Sequence, residues 1–301
     1  MGIVWRRPAG GAQPSTLPST LSSALAQRPF FCYTEKPMRI IDFHTHAFPD
    51  DLAAQTVSKL CSFAGVEATL DGSIGALVIE MDRLGIEAAV VLTIATRAAQ
   101  FESILSWCRS IASERLFPFA SVHPADPEAL SRIDRIAEAG LKGIKLHPYY
   151  QEFRFDEPRM MPLYERIAER GLILLAHTGF DLGYPPDRIA DAPRIAGVID
   201  ALPQLKLVTT HLGGWRDWDR VEEHLVGKPV YMGISYSLPF IAPEQARRLL
   251  LAHPPEYILF GSDSPWGNQE QTLKGLLALE LDEPLTRRIC FDNAARLLGL
   301  A

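Results

Sequence analysis

The chain has 301 residues, of which 47% are hydrophobic and 22% charged, with a formal net charge of -6. That is ample apolar content for a sizeable core, and α/β barrels of this length are commonly single domains. The acidic balance gives no basic footprint for nucleic acid, and no apolar run approaches the roughly 18 residues that span a bilayer, so the expected partner is a small molecule, with neither nucleic acid nor a membrane.

Residues 1–37 stand apart. They are rich in Ser, Thr, Pro, Ala and Gly, carry Arg6, Arg7 and Arg28, and hold no acid before Glu35. An organellar transit peptide has this composition. So does a disordered extension, or a start codon placed upstream of Met38. No sustained apolar core follows the arginines, which excludes a secretory signal. The segment is read as a disordered extension, and the folded domain is placed at residues 38–301. Cys32, Cys61, Cys108 and Cys290 are scattered without CxxC pairing, as free thiols in a reducing compartment would be; a cytoplasmic protein is expected.

Beyond Met38, strand-like apolar runs alternate with helical patterns in eight rounds. The strands are expected at Arg39–Phe43, Ala88–Leu92, Phe117–Ser121, Gly143–Leu146, Ile173–Ala176, Leu205–Thr210, Val230–Ile234 and Tyr257–Gly261. Between them, apolar positions at helical spacing predict helices over Phe101–Ile111, Pro127–Ala139, Met160–Arg170, Ile189–Leu202 and Pro243–Ala252, with final helices around Pro284–Cys290 and Asn293–Leu298. Glycines at 85, 140 and 171 close helices before the next strand. Strict β/α alternation implies a parallel sheet, and eight units in this length fit a (β/α)8 TIM barrel, whose reactive residues project from the C-terminal strand ends. No Gly-x-Gly-x-x-Gly follows the first strand, which removes the main support for a dinucleotide-binding fold.

Distinctive polar residues close six of the runs. The first delivers His44-Thr45-His46, whose two imidazoles share one strand face within reach of one metal ion. Two hydrogen-bonded strand-end histidines would give the same pattern. The third run leads into His123-Pro124, a pattern that marks a tight strand exit. The fourth gives Lys145-Leu146-His147, the fifth His177-Thr178-Gly179, the sixth His211-Leu212-Gly213-Gly214, and the eighth Ser262-Asp263-Ser264-Pro265-Trp266. In a barrel these groups converge on one mouth. His224 and His253 fall within or at the end of helices and read as surface or packing residues.

In this order, from Met38 to the C-terminus, the motifs resemble those of the amidohydrolase superfamily of metal-dependent barrels, and more closely its branch containing the aminocarboxymuconate-semialdehyde decarboxylase-like enzymes. The resemblance implies that His44, His46, His177 and Asp263 hold a catalytic divalent metal, most often Zn2+, as one ion with a second not excluded. It also implies that His211 acts beside the metal as a catalytic histidine. Such a donor set leaves zinc an open position, where it acidifies a water and polarises a carbonyl. Asp263 is then placed to accept the proton and pass it on, and His211 to bond the water or the developing oxyanion. Lys145 admits three readings: a carbamylated bridge between two metals as in some relatives, a cation for a substrate oxygen, or a buried ion-pair partner.

The loops after the strands should line the pocket. Arg97, His147, Tyr149, Tyr150, Phe180, Trp215 and Trp266 are the candidates, with Lys145 as a further substrate contact, and an Arg among aromatics suits a small planar or cyclic acid. The leading expectation is a metal-dependent hydrolase acting on a C–N or C–O bond of a small, carboxylate-bearing or cyclic molecule. A non-oxidative decarboxylase would use the same four ligands. A catalytically dead barrel that only binds would be expected to have lost ligands, and here every one is present. A homo-oligomer is compatible with the chain.

Overall fold

The computed structural model describes residues 38–300; the reading of residues 1–37 as a separate extension lies outside them. The strands are β1 Ile41–His46, β2 Ala88–Leu92, β3 Leu116–Phe119, β4 Gly143–Leu146, β5 Ile173–Ala176, β6 Lys206–Thr209, β7 Tyr231–Gly233 and β8 Ile258–Leu259. The helices are α1 Asp50–Ala64, α2 Ile74–Leu84, α3 Phe101–Ile111, α4 Ala129–Glu138, α5 Met161–Glu169, α6 Ala192–Ala201, α7 Trp218–His224, α8 Pro243–Ala252, α9 Gln269–Leu277, α10 Glu283–Arg287 and α11 Asn293–Leu298.

All strand pairings are parallel and follow chain order, from β1 to β3 and from β4 to β8. Two backbone seams close the ring. Lys145 N donates to Ala120 O at 2.8 Å, beside an Ala120–Ile144 bridge, and joins the third strand to the fourth. Phe43 N donates to Phe260 O at 2.9 Å and Asp263 N to His44 O at 2.7 Å, joining the eighth strand to the first. The result is the expected (β/α)8 barrel.

Inside it, Ile41, Phe43, Val90, Phe119, Leu175 and Val208 form one buried cluster, and α11 packs Ala294, Ala295 and Leu298 against it. Phe43 and Phe119 meet edge to face, with ring centroids 5.9 Å apart. An alternating in-and-out pattern cannot serve strands covered on both faces, and β2 is accordingly apolar throughout and wholly buried. Gly85 closes α2 with φ +70°, a conformation that costs other residues strain.

Strand β1 starts two residues later than expected and continues through His46, because pairing resumes past a register shift between Asp42 and Thr45, with His46 opposite Leu92. Cys61, Cys108 and Cys290 are free thiols. Among the described residues no helix is long and apolar enough to cross a membrane.

Candidate metal centre

The C-terminal strand ends bring His44, His46 and Asp263 together. His44 Nε2 lies 3.1 Å from His46 Nε2 and 3.1 Å from Asp263 Oδ1, and His46 Nε2 lies 3.4 Å from the same carboxylate oxygen. A second group, His147, His177 and Asp181, forms beside it. His147 stacks on His177 with centroids 4.2 Å apart, and His147 Nε2 reaches Asp181 Oδ2 at 3.5 Å. His177 therefore falls with His147 and Asp181 and not in the tight triplet, although its Nδ1 faces His211 Nε2 at 3.2 Å.

The donor chemistry of these nitrogens fits a divalent cation. His44 Nε2 and His46 Nε2 converge on one Asp263 carboxylate oxygen, a grouping of nitrogens and oxygen of the kind that ligates such an ion. The His177–His211 pair adds to this by proton counting. His177 Nε2 faces the Phe180 carbonyl at 3.1 Å and His211 Nδ1 faces the Ser235 carbonyl at 2.9 Å, so both outer contacts need an N–H. Two neutral imidazoles carry two protons, and none is left for the contact between them. His177 Nδ1 and His211 Nε2 then both present lone pairs to the cavity.

Electrostatics keep the rings neutral. Burial pushes His44 down to about 3 and His211 to about 4, in each case against the pull of the Asp263 carboxylate. Burial also holds His177 and His147 well below the usual imidazole value, helped by neighbouring rings and Lys145. Burial acts to raise Asp263, but His44 and His46 outweigh it and keep the carboxylate well below its ordinary range. Neutral nitrogens and an ionised oxygen are the forms in which metals are bound.

The backbone is bent to achieve this. Asp263 and His211 adopt φ of +71° and +56°, in the left-handed region where non-glycine residues pay strain. Trp218 Nε1 donates to the His211 carbonyl at 3.0 Å and holds that turn. Gly179 lets the loop after β5 cross the one after β6: with φ +84°, a Cβ there would collide with Trp215 N.

A cavity of about 480 Å³ opens over the cluster, and Lys145, His147, Tyr150, Phe180, Trp215 and Trp266 line it as expected. Two expected lining residues do not. Arg97 is exposed at the start of a 3-10 turn, where its backbone N–H donates to Gln100 Oε1. Tyr149 is buried, and its hydroxyl donates to the Gly179 and Asp187 carbonyls, bracing the loop after β5. His123 accepts from Ala125 N and shapes a strand exit.

Lys145 is 1% exposed and, among the described residues, forms no ion pair; burial pushes it down to about 7, against the through-space pull of Asp263 and Asp181. The reading of Lys145 as a structural ion-pair partner is thereby set aside.

Four residues that matter here were not singled out from sequence. Asp181 lines the cavity four positions after His177, a spacing that could have flagged it, and burial raises it to about 6. Ser235 touches His44 Nδ1 through Oγ at 2.8 Å and His211 through its carbonyl. Gln151, buried, accepts from His147 N and donates to the Ala95 and Val122 carbonyls, tying three mouth loops together. Asp42 accepts from Ser262 N, Ser262 Oγ, Gln269 Nε2 and His44 N, and so fastens the two chain segments that carry the tight triplet.

Comparison with known proteins agrees with this architecture. A family model described as amidohydrolase matches residues 41–300. An uncharacterised TIM-barrel protein from Bordetella bronchiseptica is 21% identical, with 87% of this chain and 99% of that one covered and a TM-score of 0.69. The 5-carboxyvanillate decarboxylase of Sphingomonas paucimobilis is 14% identical, with 88% and 100% covered and a TM-score of 0.64. A protein taken to be a 2-pyrone-4,6-dicarboxylic acid hydrolase from Pseudomonas putida is 19% identical, with 87% and 98% covered and a TM-score of 0.60. At these identities the likeness establishes the fold alone. No curated protein matches the sequence.

Proposed function

This chain belongs to the amidohydrolase family, in the branch that includes both decarboxylases and hydrolases, and from that membership and the site's chemistry we propose that it is a metal-dependent hydrolase of a C–N or C–O bond in a small, uncharged molecule. The observation that carries the choice is the lining of the cavity. Two carboxylates, Asp181 and Asp263, face it with one lysine and no arginine, and the remaining walls beyond the histidines are largely apolar. A divalent ion held there would offset the two carboxylates, so what favours a neutral ester, lactone or amide is that no lining arginine is present to clamp a substrate carboxylate and that the other walls are apolar.

His44, His46 and Asp263 would hold the ion, with His177 Nδ1 turned toward the same space, and zinc suits a set of imidazoles and one carboxylate. The bound ion supplies Lewis acidity, acidifying a water and polarising the scissile carbonyl. Asp263, kept ionised, takes the water's proton and returns it to the departing nitrogen or oxygen, so that cleavage yields an acid and an amine or alcohol. His211, whose Nδ1–H is committed to Ser235, offers Nε2 as an acceptor that orients the attacking water. Lys145 offers a donor to the substrate's polar oxygen from the barrel floor. Trp215 and Trp266 line the site.

The test is product analysis on lactones, amides and aryl carboxylates. Addition of water to a neutral substrate supports the reading; release of CO2 from an aryl or enoic acid, with no hydrolysis, replaces it with a decarboxylase. His211→Asn should keep the metal and lower kcat by about a hundredfold, the scale of a misoriented nucleophile. An unchanged kcat would remove His211 from the chemistry.

A further inference from the structure

Two helices continue the cavity away from the histidines. On α1, Leu52, Thr56, Leu60 and Ala64 recur every fourth residue and all line it, while Ala53 and Val57 on an adjoining face are buried in the protein. On α3, Ser103, Ile104 and Trp107 line the cavity, while Phe101, Leu105 and Cys108 fill the core. Residues three and four apart share a helix face, so each helix presents a second stripe beyond the one its core packing uses. Leu52 is left 48% exposed. Every ionisable side chain lining the cavity sits at the barrel end; the α1 and α3 stripes contribute none.

We propose that this arm seats the apolar tail of the substrate, so that the substrate class is an amphiphile: a neutral ester, lactone or amide head at the metal-binding residues and an alkyl or aryl tail between α1 and α3. The inference rests on the hydrolase reading for the identity of the head group, and on continuity of the cavity for the tail. A volume of about 480 Å³ lies in the range of sites that enclose drug-sized ligands, well above what a small ring needs. Uncharged and mostly apolar rows on a helix that do not pack in the core favour an occupant that removes them from water.

The metal-loaded full-length protein is titrated with δ-lactones from δ-valerolactone to δ-dodecalactone, read by calorimetry and, separately, by hydrolysis. Each added methylene should tighten binding about two- to fourfold until the arm is full, the scale of transferring a CH2 group from water. Leu60→Trp, which fills the arm, should collapse the ratio of long-chain to short-chain affinity by at least about tenfold, as a lost run of such contacts implies. Thr56→Glu changes a partly exposed helix position, puts a carboxylate in the arm, and should do the same if the tryptophan variant does not fold. Affinity independent of chain length, or no binding at any length, overturns the proposal. So does a chain-length-independent result accompanied by a dimer in sedimentation that Thr56→Glu dissociates, which would give the stripes to a second copy. Chain-length-dependent binding without hydrolysis keeps the tail and sinks the hydrolase; hydrolysis without chain-length dependence does the reverse.

Discussion

Replacing Asp42 with Ala should damage both stability and metal binding, although Asp42 belongs to neither cluster. The buried carboxylate accepts from Ser262 N at 2.9 Å, Ser262 Oγ at 2.6 Å, Gln269 Nε2 at 2.8 Å and His44 N at 3.2 Å. Hydrogen bonds to a charged group contribute about 1.5–3 kcal/mol each, but they are not additive, and truncating one member of a buried charged network costs about 3–5 kcal/mol. Against this stands the unfavourable burial of the charge, which raises Asp42 to about 6 and outweighs the four donors. The net loss expected for Asp42→Ala is therefore about 3 kcal/mol in urea unfolding at neutral pH. Because Asp42 ties the strand holding His44 and His46 to the segment holding Asp263, divalent-metal affinity should fall about tenfold to a hundredfold in chelator competition, the range for partners that orient ligands. The pH dependence has a definite sign. A carboxyl whose folded value is raised from 3.8 to about 6 stabilises fully below the lower value and loses that contribution as pH rises through the upper one. Asp42→Asn should flatten the stability profile across that window. A variant within about 1 kcal/mol of the parent, with unchanged metal affinity, would refute the reasoning.

Gly179→Ala forces a side chain into the crossing of two mouth loops at positive φ; about 1–2 kcal/mol of backbone strain plus about 1–3 kcal/mol of overpacking should appear in urea unfolding, and a loss below about 1 kcal/mol would deny the close approach. Buried His253 gives its Nε2–H to the Val230 carbonyl, and burial lowers its titration, so its contribution is present above the unfolded imidazole value and is lost as pH falls through the folded one. His253→Gln should therefore lose less stability on acidification than the parent, and parallel acid profiles would contradict this.

How far the sequence disclosed this molecule depends on what each segment's neighbours contribute. The runs at β2, β4 and β5 have the expected boundaries because they are short, buried throughout and apolar but for Lys145, with helix-closing glycines upstream. The first strand was displaced because hydropathy stops at Phe43, whereas pairing carries His44 and His46 into the sheet under cover of the cavity walls. Helix α1 escaped because its apolar residues occupy two faces, one for the core and one for the cavity, which blurs a single helical period.

In the site, histidines were legible as rare residues in a regular place, the ends of strands. Asp42, Ser235 and Gln151 were not, since each matters through partners that only the fold brings near: Asp42 and Ser262 are 220 positions apart. Arg97 and Tyr149 carry the right chemistry in the right loops, but Arg97 lies exposed outside the cavity lining and the Tyr149 hydroxyl is taken up in a brace to distant carbonyls.

The most direct measurement is the metal content of the purified protein by elemental analysis, for the parent and for His46→Ala and Asp263→Ala. The parent should hold about one divalent ion per chain, removable by chelator, and each variant should lose at least about nine-tenths of it, as expected when one of the ligands of a single site is removed. A parent that binds no divalent ion when supplied with one, or variants that retain it fully, would contradict the assignment of these strand ends to a metal.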